Sequence, residues 1–441
     1  MAKFSTNVLF SFLAEISLFA LSFLLGVVTA RYLGADGKGK FWLVFNVAGI
    51  LPLLFSMRFQ RSVTYHLSKN SAMLGEILLY GLLVGLGTAA GIIVLMAAFP
   101  GFFSDVMLKN INIYYWVILL LCMSRYLWSF LIAIIEGLLR FKLKLIFMIG
   151  TYGLKVLEVI LALSLFKLQF EGLILFMGLT EGLVYTLILA ALMAGVRNYR
   201  FNQAHFVAML KYSAKSYPGM ISDLVTLRID TFFLNFFSGA AQVGVYTVAV
   251  SLASMLSYLP TAIRNVLMPF VANYSEAQIT SRLSRLLIIA MSLIAILIIP
   301  LVWVLVVPVY GAEFASARSL FLILLPGMIF WGVFTLLSSD IEGRGFPLQI
   351  SIVSVISALA AISLDWLLIP VWNATGAAVV SSATYALAML LAAVLYRRLL
   401  GVQVNRVLLP RLADLRFISE ATSSLLFRLR RSFSGTGSGT L

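Results

Sequence analysis

The sequence predicts an all-α polytopic membrane protein of about twelve transmembrane helices, built as two six-helix lobes related by a parallel pseudo-two-fold repeat. Three observations carry that expectation. Of the 441 residues, 62% are hydrophobic and 11% charged, whereas soluble domains run near roughly 45–50% apolar and about 25% charged. Apolar runs long enough to cross a bilayer, roughly 20 residues each, recur along the whole chain. The two halves of the chain also repeat each other at a nearly constant offset.

The runs fall in order. The first covers 8–30; Glu15 interrupts it and no convincing small-residue cleavage site follows, so it reads as a retained span rather than a leader. Five more follow at 41–62, 74–98, 114–135, 145–166 and 170–195, completing an N-lobe over 1–196. A polar, basic stretch over 197–216 reads as a cytoplasmic amphipathic linker. Runs at 217–237, 243–263, 286–308, 319–338, 348–370 and 376–396 make a C-lobe over 217–396, and a basic tail covers 397–441. That tail has the pattern of an amphipathic helix lying on the membrane, followed by a flexible Gly/Ser end. The 33 Phe, 17 Tyr and 7 Trp fit packed spans with interfacial aromatic belts.

Charge orients the chain. The even-numbered loops hold 14 Lys and Arg against six in the odd-numbered loops, and eight more arginines lie in the tail. By the positive-inside rule the even loops and both termini are cytoplasmic. The net charge of +15 is then mostly inner surface facing anionic lipid. A nucleic-acid partner is not expected, because no soluble basic domain exists to carry one. Cys122, the one cysteine, lies in an apolar run and reads as packing. His66 and His205 stand far apart without ligand spacing, so no metal is expected.

The repeat shows at three places. Leu33–Val44 (LGADGKGKFWLV) matches Ser238–Ala249 (SGAAQVGVYTVA), placing Gly34 on Gly239, Ala35 on Ala240 and Gly39 on Gly244, a shift of 205. Glu136–Phe141 (EGLLRF) parallels Glu342–Phe346 (EGRGF) at about the same shift, and Gly172 falls on Gly376 at 204. Six spans per half put both halves in the membrane with the same orientation, and duplicated bundles of this sort commonly rock about a central site. Turn geometry is the plain reading of Gly34, Gly39, Gly239 and Gly244, which the pattern places in short outer loops.

The stretches TARYLGADGKGKFWLV, LRIDTFFLNFFSGAAQVGVYTVAVSLASML, YGAEFASARSLFLILLPGMIF and LIPVWNATGAAVVSSATYALAML resemble the polysaccharide-transport branch of the multidrug/oligosaccharidyl-lipid/polysaccharide exporter superfamily, the Wzx-type flippases of O-antigen and exopolysaccharide. The resemblance runs over nearly the whole chain, through diffuse motifs. It implies a MATE/MurJ-like fold, although the related peptidoglycan lipid flippases typically carry fourteen spans. It implies a function as well: moving an undecaprenyl-diphosphate-linked oligosaccharide across the bacterial inner membrane for O-antigen, capsule or exopolysaccharide synthesis, with a polysaccharide polymerase as a downstream partner. Spans 1, 2, 7 and 8 line the space between lobes in that family.

Against that background the buried charges become candidates. An anionic headgroup needs cations, and arginine binds phosphate oxygens through charge-assisted, often bidentate bonds. Arg31, Arg58, Arg61, Arg228 and Arg264 are the expected diphosphate-binding set. The competing reading for Arg58, Arg61 and Arg264 is snorkelling to lipid phosphates, and for Arg31 it is outer-loop anchoring. Arg228 lies deep in span 7, two residues from Asp230, so a partner must come from another helix; Glu15 is one candidate. In the first lobe Arg125, Lys155, Glu158 and Glu181 are buried together, and Lys155 and Glu158, three apart, can neutralise each other on one face. The reading of Arg125 and Lys155 is a structural ion-pair network.

Deep in the spans there are three cations (Arg125, Lys155, Arg228) against six anions (Glu15, Glu158, Glu181, Asp223, Asp230, Asp365). The acidic surplus leaves room for Na+ or H+ coupling at Glu15, Asp223, Asp230, Glu158 or Glu181; no other cofactor is expected. Asp365 reads as interfacial. Glu136 and Glu342, each before a glycine, read as helix caps. No nucleophile–base pair, metal cluster or phosphate loop stands in an exposed segment, so an enzyme is not expected. The competing functions are a cation-coupled exporter of small molecules and a non-transporting membrane subunit of a polysaccharide synthase.

Overall fold

A computed structural model describes residues 2–103, 107–109, 111, 113–261, 263–264, 277–409 and 411. Long helices dominate: α1 (Ala2–Phe55), α2 (Phe59–Lys69), α3 (Leu74–Ala98), α4 (Tyr115–Gly137), α5 (Phe141–Ile160), α6 (Phe170–Ala194), α7 (Gln203–Ser238), α8 (Ala240–Ala253), α9 (Ala277–Tyr310), α10 (Ala317–Gly343), α11 (Pro347–Leu400) and the short α12 (Val404–Leu408). Among the described residues, nine stretches are long and apolar enough to cross a membrane. Two of these, Ile16–Phe55 and Leu348–Leu400, are 40 and 53 residues long. Each is broken in its interior, at Gly34 and at Asn373 respectively. α7 is long enough to span but carries Lys211, Asp223, Arg228 and Asp230. The protein is thus a multi-pass membrane protein.

The expected linker over 197–216 does not stay separate from the span that follows it. Asn202 caps α7, its side chain accepting from the Ala204 and His205 amides, and the helix then runs unbroken into the next apolar segment. Of the expected tail, 397–400 completes α11 and Val404–Leu408 forms α12. The amphipathic pattern beyond 411 lies outside the described residues.

Packing divides the chain into two compact units that do not follow the repeat: Met1–Leu252 with Val302–Leu324 and Ala358–Ser381, and Ala253–Leu301 with Leu325–Ser357 and Ser382–Leu441. In the first, α3 offers glycines at one-turn spacing to aromatic rings of α4. A β-carbon at Gly81 would sit 2.0 Å from the Phe130 ring, and one at Gly85 2.8 Å from Tyr126. The Tyr126 hydroxyl donates to the Gly81 carbonyl at 2.6 Å. Small residues against rings let helices approach closely where lipid supplies no hydrophobic drive. Around them, Phe59, Val63, Ile77, Leu131, Tyr185 and Met209 close the core. The second unit packs Phe334, Leu337, Ile341, Ile350, Ala392 and Tyr396. Its buried Asp340 accepts from Arg344 Nε (2.7 Å) and Tyr396 OH (2.5 Å).

The repeat is written into the backbone. Gly34 (φ 66°, ψ −172°) and Gly239 (φ 82°, ψ 171°) share a conformation that essentially only glycine adopts. After the second match, the amides of Leu139 and Arg140 donate to the Glu136 and Ile135 carbonyls. The amides of Gly345 and Phe346 donate to Glu342 and Ile341 in the same way. Leu139 and Gly345 both have positive φ. Gly39 and Gly244, in contrast, lie within helices and not in the outer turns expected of them, and the reason is contact. A β-carbon at Gly39 would stand 1.7 Å from the Ala240 carbonyl oxygen, and one at Gly244 1.9 Å from that of Ala35. The matched residues of the two halves therefore cross each other, backbone to backbone.

Candidate functional site

The second half of α1 carries the first part of the site. Trp42 lies one turn past Gly39, and the Arg228 guanidinium sits 5.2 Å from its ring centroid. Arg228 is half-buried and has no ion-pair partner among the described residues. Stacked guanidinium groups keep their in-plane N–H donors free, and that geometry fits phosphate oxygens. One turn further, Phe45 holds Arg125 in the same fashion at 4.9 Å.

Two residues on from Arg228, Asp230 makes its hydrogen bonds elsewhere but is close enough for the Arg228 charge to act on it. Its Oδ2 accepts from Tyr246 OH (2.5 Å) and Ser381 Oγ (3.1 Å), and its Oδ1 from the Thr231 amide (2.7 Å). Asp365 of α11 is close enough to interact with it electrostatically. Asp365 is 1% exposed and neither of its carboxylate oxygens has a hydrogen-bond partner. This corrects the interfacial reading. The span does not end at 370 but at the Asn373 break, which leaves Asp365 eight residues, or about 12 Å, inside it. Two carboxylates buried together are costly unless positive charge balances them, and Arg228 acts on one of the two. The side-chain amide of Asn235, 1% exposed, also lacks partners. A monovalent cation or a proton suits such a place; among the described residues no three His, Cys, Asp or Glu side chains gather as a metal cluster.

The first-lobe charges form a second cluster. Lys155 Nζ pairs with Glu181 Oε2 at 3.2 Å, both side chains at 1% exposure or less. Its neighbour on the helix is not its partner: Glu158 instead accepts from Thr180 Oγ1 on α6. The expected pairing along one face gives way because α6 presents both a carboxylate and a hydroxyl to α5. Tyr152 and Trp128 flank the ammonium at 5.2 and 6.0 Å.

The remaining candidates scatter. Arg31 is exposed and donates from Nε to the Val309 carbonyl at 2.7 Å. Arg58 stands in left-handed conformation next to Met57, also left-handed, where the expected second span breaks into α2. Arg61 is exposed on α2. Arg264 lies 3.7 Å from Glu342, and Lys144 3.0 Å from Glu136. Both glutamates thus form ion pairs and cap no helix: the caps that follow, at Arg140 and Phe346, make no side-chain hydrogen bond. The side chains of Glu15 and Asp223 lie outside the described residues. Cys122 is free and buried. His66 bonds within its own helix, and His205 meets Glu76 at 2.9 Å.

The sequence reading took Asp365 as interfacial and missed Asp340 and Tyr246. A signal existed for the first, since an Asp in an apolar run is functional by default in a membrane. Nothing in the sequence announced the Tyr246 hydroxyl.

A family model described as polysaccharide biosynthesis protein matches residues 4–275. No curated protein sequence matches the chain. Solved structures do match its fold. The lipid II flippase MurJ in an inward closed conformation aligns with TM-score 0.70 at 16% identity, covering 98% of this chain and 94% of that one. A multidrug resistance MATE family transporter of the MOP superfamily, inward-facing, gives 0.67 at 13% identity over 87% and 94%. A Vibrio cholerae MATE transporter, VcmN, gives 0.60 at 14% identity over 91% and 97%.

Proposed function

Because the chain belongs to the polysaccharide biosynthesis protein family, with the fold of MOP-superfamily transporters, we propose that it flips a polyprenyl-diphosphate-linked oligosaccharide from the cytoplasmic to the outer leaflet of the bacterial inner membrane. Twelve passes accommodate the breaks at Gly34 and Asn373 and the charged span in α7. Both termini then face the cytoplasm. The headgroup travels between the two repeats while the prenyl tail stays in lipid, and the repeats alternate access by rocking. The product feeds surface-polysaccharide synthesis and a polymerase that extends it.

One observation supports the reading above the others: Arg228 at span depth, held by the Trp42 face and without a salt bridge among the described residues. A guanidinium at span depth whose nearest described carboxylate, Asp230, is bonded elsewhere is costly, and a diphosphate offsets that cost when it arrives. Arg58, Arg61 and Arg264 supply cations nearer the inner face, and Arg31 nearer the outer. Asp230 with Asp365 is the coupling place for Na+ or H+. The same carboxylates favour a second reading, a cation-coupled exporter of small organic molecules.

The test is flipping of a diphosphate-linked glycolipid in proteoliposomes, with wild type, Arg228→Ala and Arg264→Ala reconstituted to equal amounts. Flipping by wild type that is lost in Arg228→Ala supports the reading. Flipping undiminished in Arg228→Ala removes the arginine from it. No flipping by wild type, with the native glycan supplied, sinks the flippase and leaves the exporter.

A further inference from the structure

The two outer corners of the repeat are each met by one charged side chain. At the first corner, Glu313 Oε2 accepts from the Ala35 amide at 2.8 Å. Ala35 opens the helical run after the Gly34 break, so its N–H is one of the four that no helix carbonyl satisfies. At the second corner, Lys109 Nζ donates to the Phe236 carbonyl at 2.8 Å and lies 4.8 Å from that residue's ring. Phe236 lies in the last turn of α7, so its carbonyl is one of the unsatisfied acceptors.

These contacts are related by the repeat. The 205-residue shift carries Ala35 onto Ala240 and Arg31 onto Phe236, and it carries Glu313 to within one residue of Lys109. Each half thus sends one side chain from its third-to-fourth-span connection into the first corner of the other half. The chemistry is opposite and each sign is correct: an anion meets a helix N-terminus and a cation meets a helix C-terminus. Gly39 and Gly244 cross between the two corners with no side chains to interlock, so the crossing itself sets little barrier to parting.

We propose that Glu313 and Lys109 are paired latches that hold the repeats together at the outer face, and that both must release before the headgroup can leave. They are positioning residues; the inference rests on the flippase reading and on the orientation that places the odd loops outside. Each contact is a single polar bond to a helix end at a partly exposed site, which suits a closure that must open in every cycle.

The experiment removes the chain's only cysteine, Cys122→Ser, and places a reporter at buried Ala240 (Ala240→Cys). An impermeant maleimide is applied from the outside and the initial labelling rate is read. Glu313→Gln and Lys109→Met are each expected to speed labelling about 1.5-fold to fivefold, the range of a partly exposed charged contact. Glu313→Lys should label faster than Glu313→Gln, and Lys109→Glu faster than Lys109→Met, while Glu313→Asp stays nearest wild type. A role in packing alone would not follow charge in that way. Rates blind to charge, or labelling only from the cytoplasmic side, overturn the proposal. If Ala240→Cys does not fold, Ala35→Cys reports on the same crossing. Labelling needs no substrate, so the two readings fail separately: charge-ordered labelling without flipping removes the flippase and keeps the latches, and flipping with charge-blind labelling does the reverse.

Discussion

Adding one methyl group at Gly39 tests how the two repeats meet. The β-carbon of Gly39→Ala would lie 1.7 Å from the Ala240 carbonyl oxygen, 2.6 Å from its carbon and 2.9 Å from the Gly244 nitrogen. All three atoms belong to backbone, so no side chain can swing aside. The helices must separate by about 1.3 Å to bring the first distance to 3.0 Å. A gap of that size forfeits about half or more of each dispersion contact along the crossing. Some twenty atom pairs at about 0.1–0.2 kcal/mol each then lose on the order of 1 kcal/mol. Overpacking strain adds about 1–3 kcal/mol. The expected cost is about 2–4 kcal/mol in total, read as a lower thermal midpoint of the purified protein in one fixed detergent. Gly87→Ala is the control. Gly87 lies in α3 with nothing within 4 Å of an added β-carbon, so helix propensity should leave it unchanged or more stable by up to about 1 kcal/mol. A midpoint for Gly39→Ala equal to wild type, or an equal fall in Gly87→Ala, would refute the close crossing.

Three further outcomes follow from the charged clusters. Lys155→Met leaves Glu181 buried without its partner and should cost about 3–5 kcal/mol, whereas Lys155→Met with Glu181→Gln should recover most of it; thermal midpoints of the three proteins decide, and a double variant no better than the single one counts against the pair. Trp42→Ala removes the ring that holds Arg228, worth about 0.5–2 kcal/mol, so flipping should slow about twofold to thirtyfold but less than in Arg228→Ala; equal rates in Trp42→Ala and wild type argue against that ring. Asp365→Asn removes one of two buried carboxylates and should abolish any dependence of transport on a Na+ or H+ gradient while leaving the protein folded, as gradient-imposed proteoliposomes would report; a gradient response that survives places coupling elsewhere.

The spans were legible because a bilayer demands about 20 apolar residues for each crossing, and the repeat because Gly34 and Gly239 occupy a backbone region closed to other residues. Boundaries were less legible where a helix outran its apolar run. α7 begins at Gln203, not near 217, because Asn202 caps it there. α11 continues past 370 to a break at an Asn, which hydropathy does not mark. Of the site, residue types were legible and partners were not. Three residues of helix spacing place Lys155 beside Glu158, yet Glu181 and Thr180 of α6 decide the pairing. Arg344 counts as a loop cation until Asp340, itself bonded by the Tyr396 hydroxyl, is seen to hold it at a helix end. Partnership between helices is tertiary information, and one sequence without its fold does not carry it.

The duplicated backbone and the unduplicated chemistry together explain how such a chain could move cargo in one direction. Two halves with the same corner at Gly34 and Gly239 and the same turn at Leu139 and Gly345 would exchange roles by small rotations under the proposed rocking. Symmetric halves alone would move substrate either way with equal ease. The side chains break that balance. The 205-residue shift places Leu25 opposite Asp230 and Ile160 opposite Asp365, so the carboxylate pair exists in one half only. Lys155 and Glu181 fall on Ala360 and Ala386, so the closed ion pair exists in the other half only. One half therefore holds a buried carboxylate against a lysine, and the other buries two carboxylates together, Asp365 without a hydrogen-bond partner. On the proposed coupling, a gradient would act on the second and not on the first. Converting the open half to the closed type, by Asp365→Lys opposite Asp230, should leave a protein that exchanges substrate across the membrane yet no longer accumulates it against a gradient; accumulation that persists would show that direction comes from elsewhere.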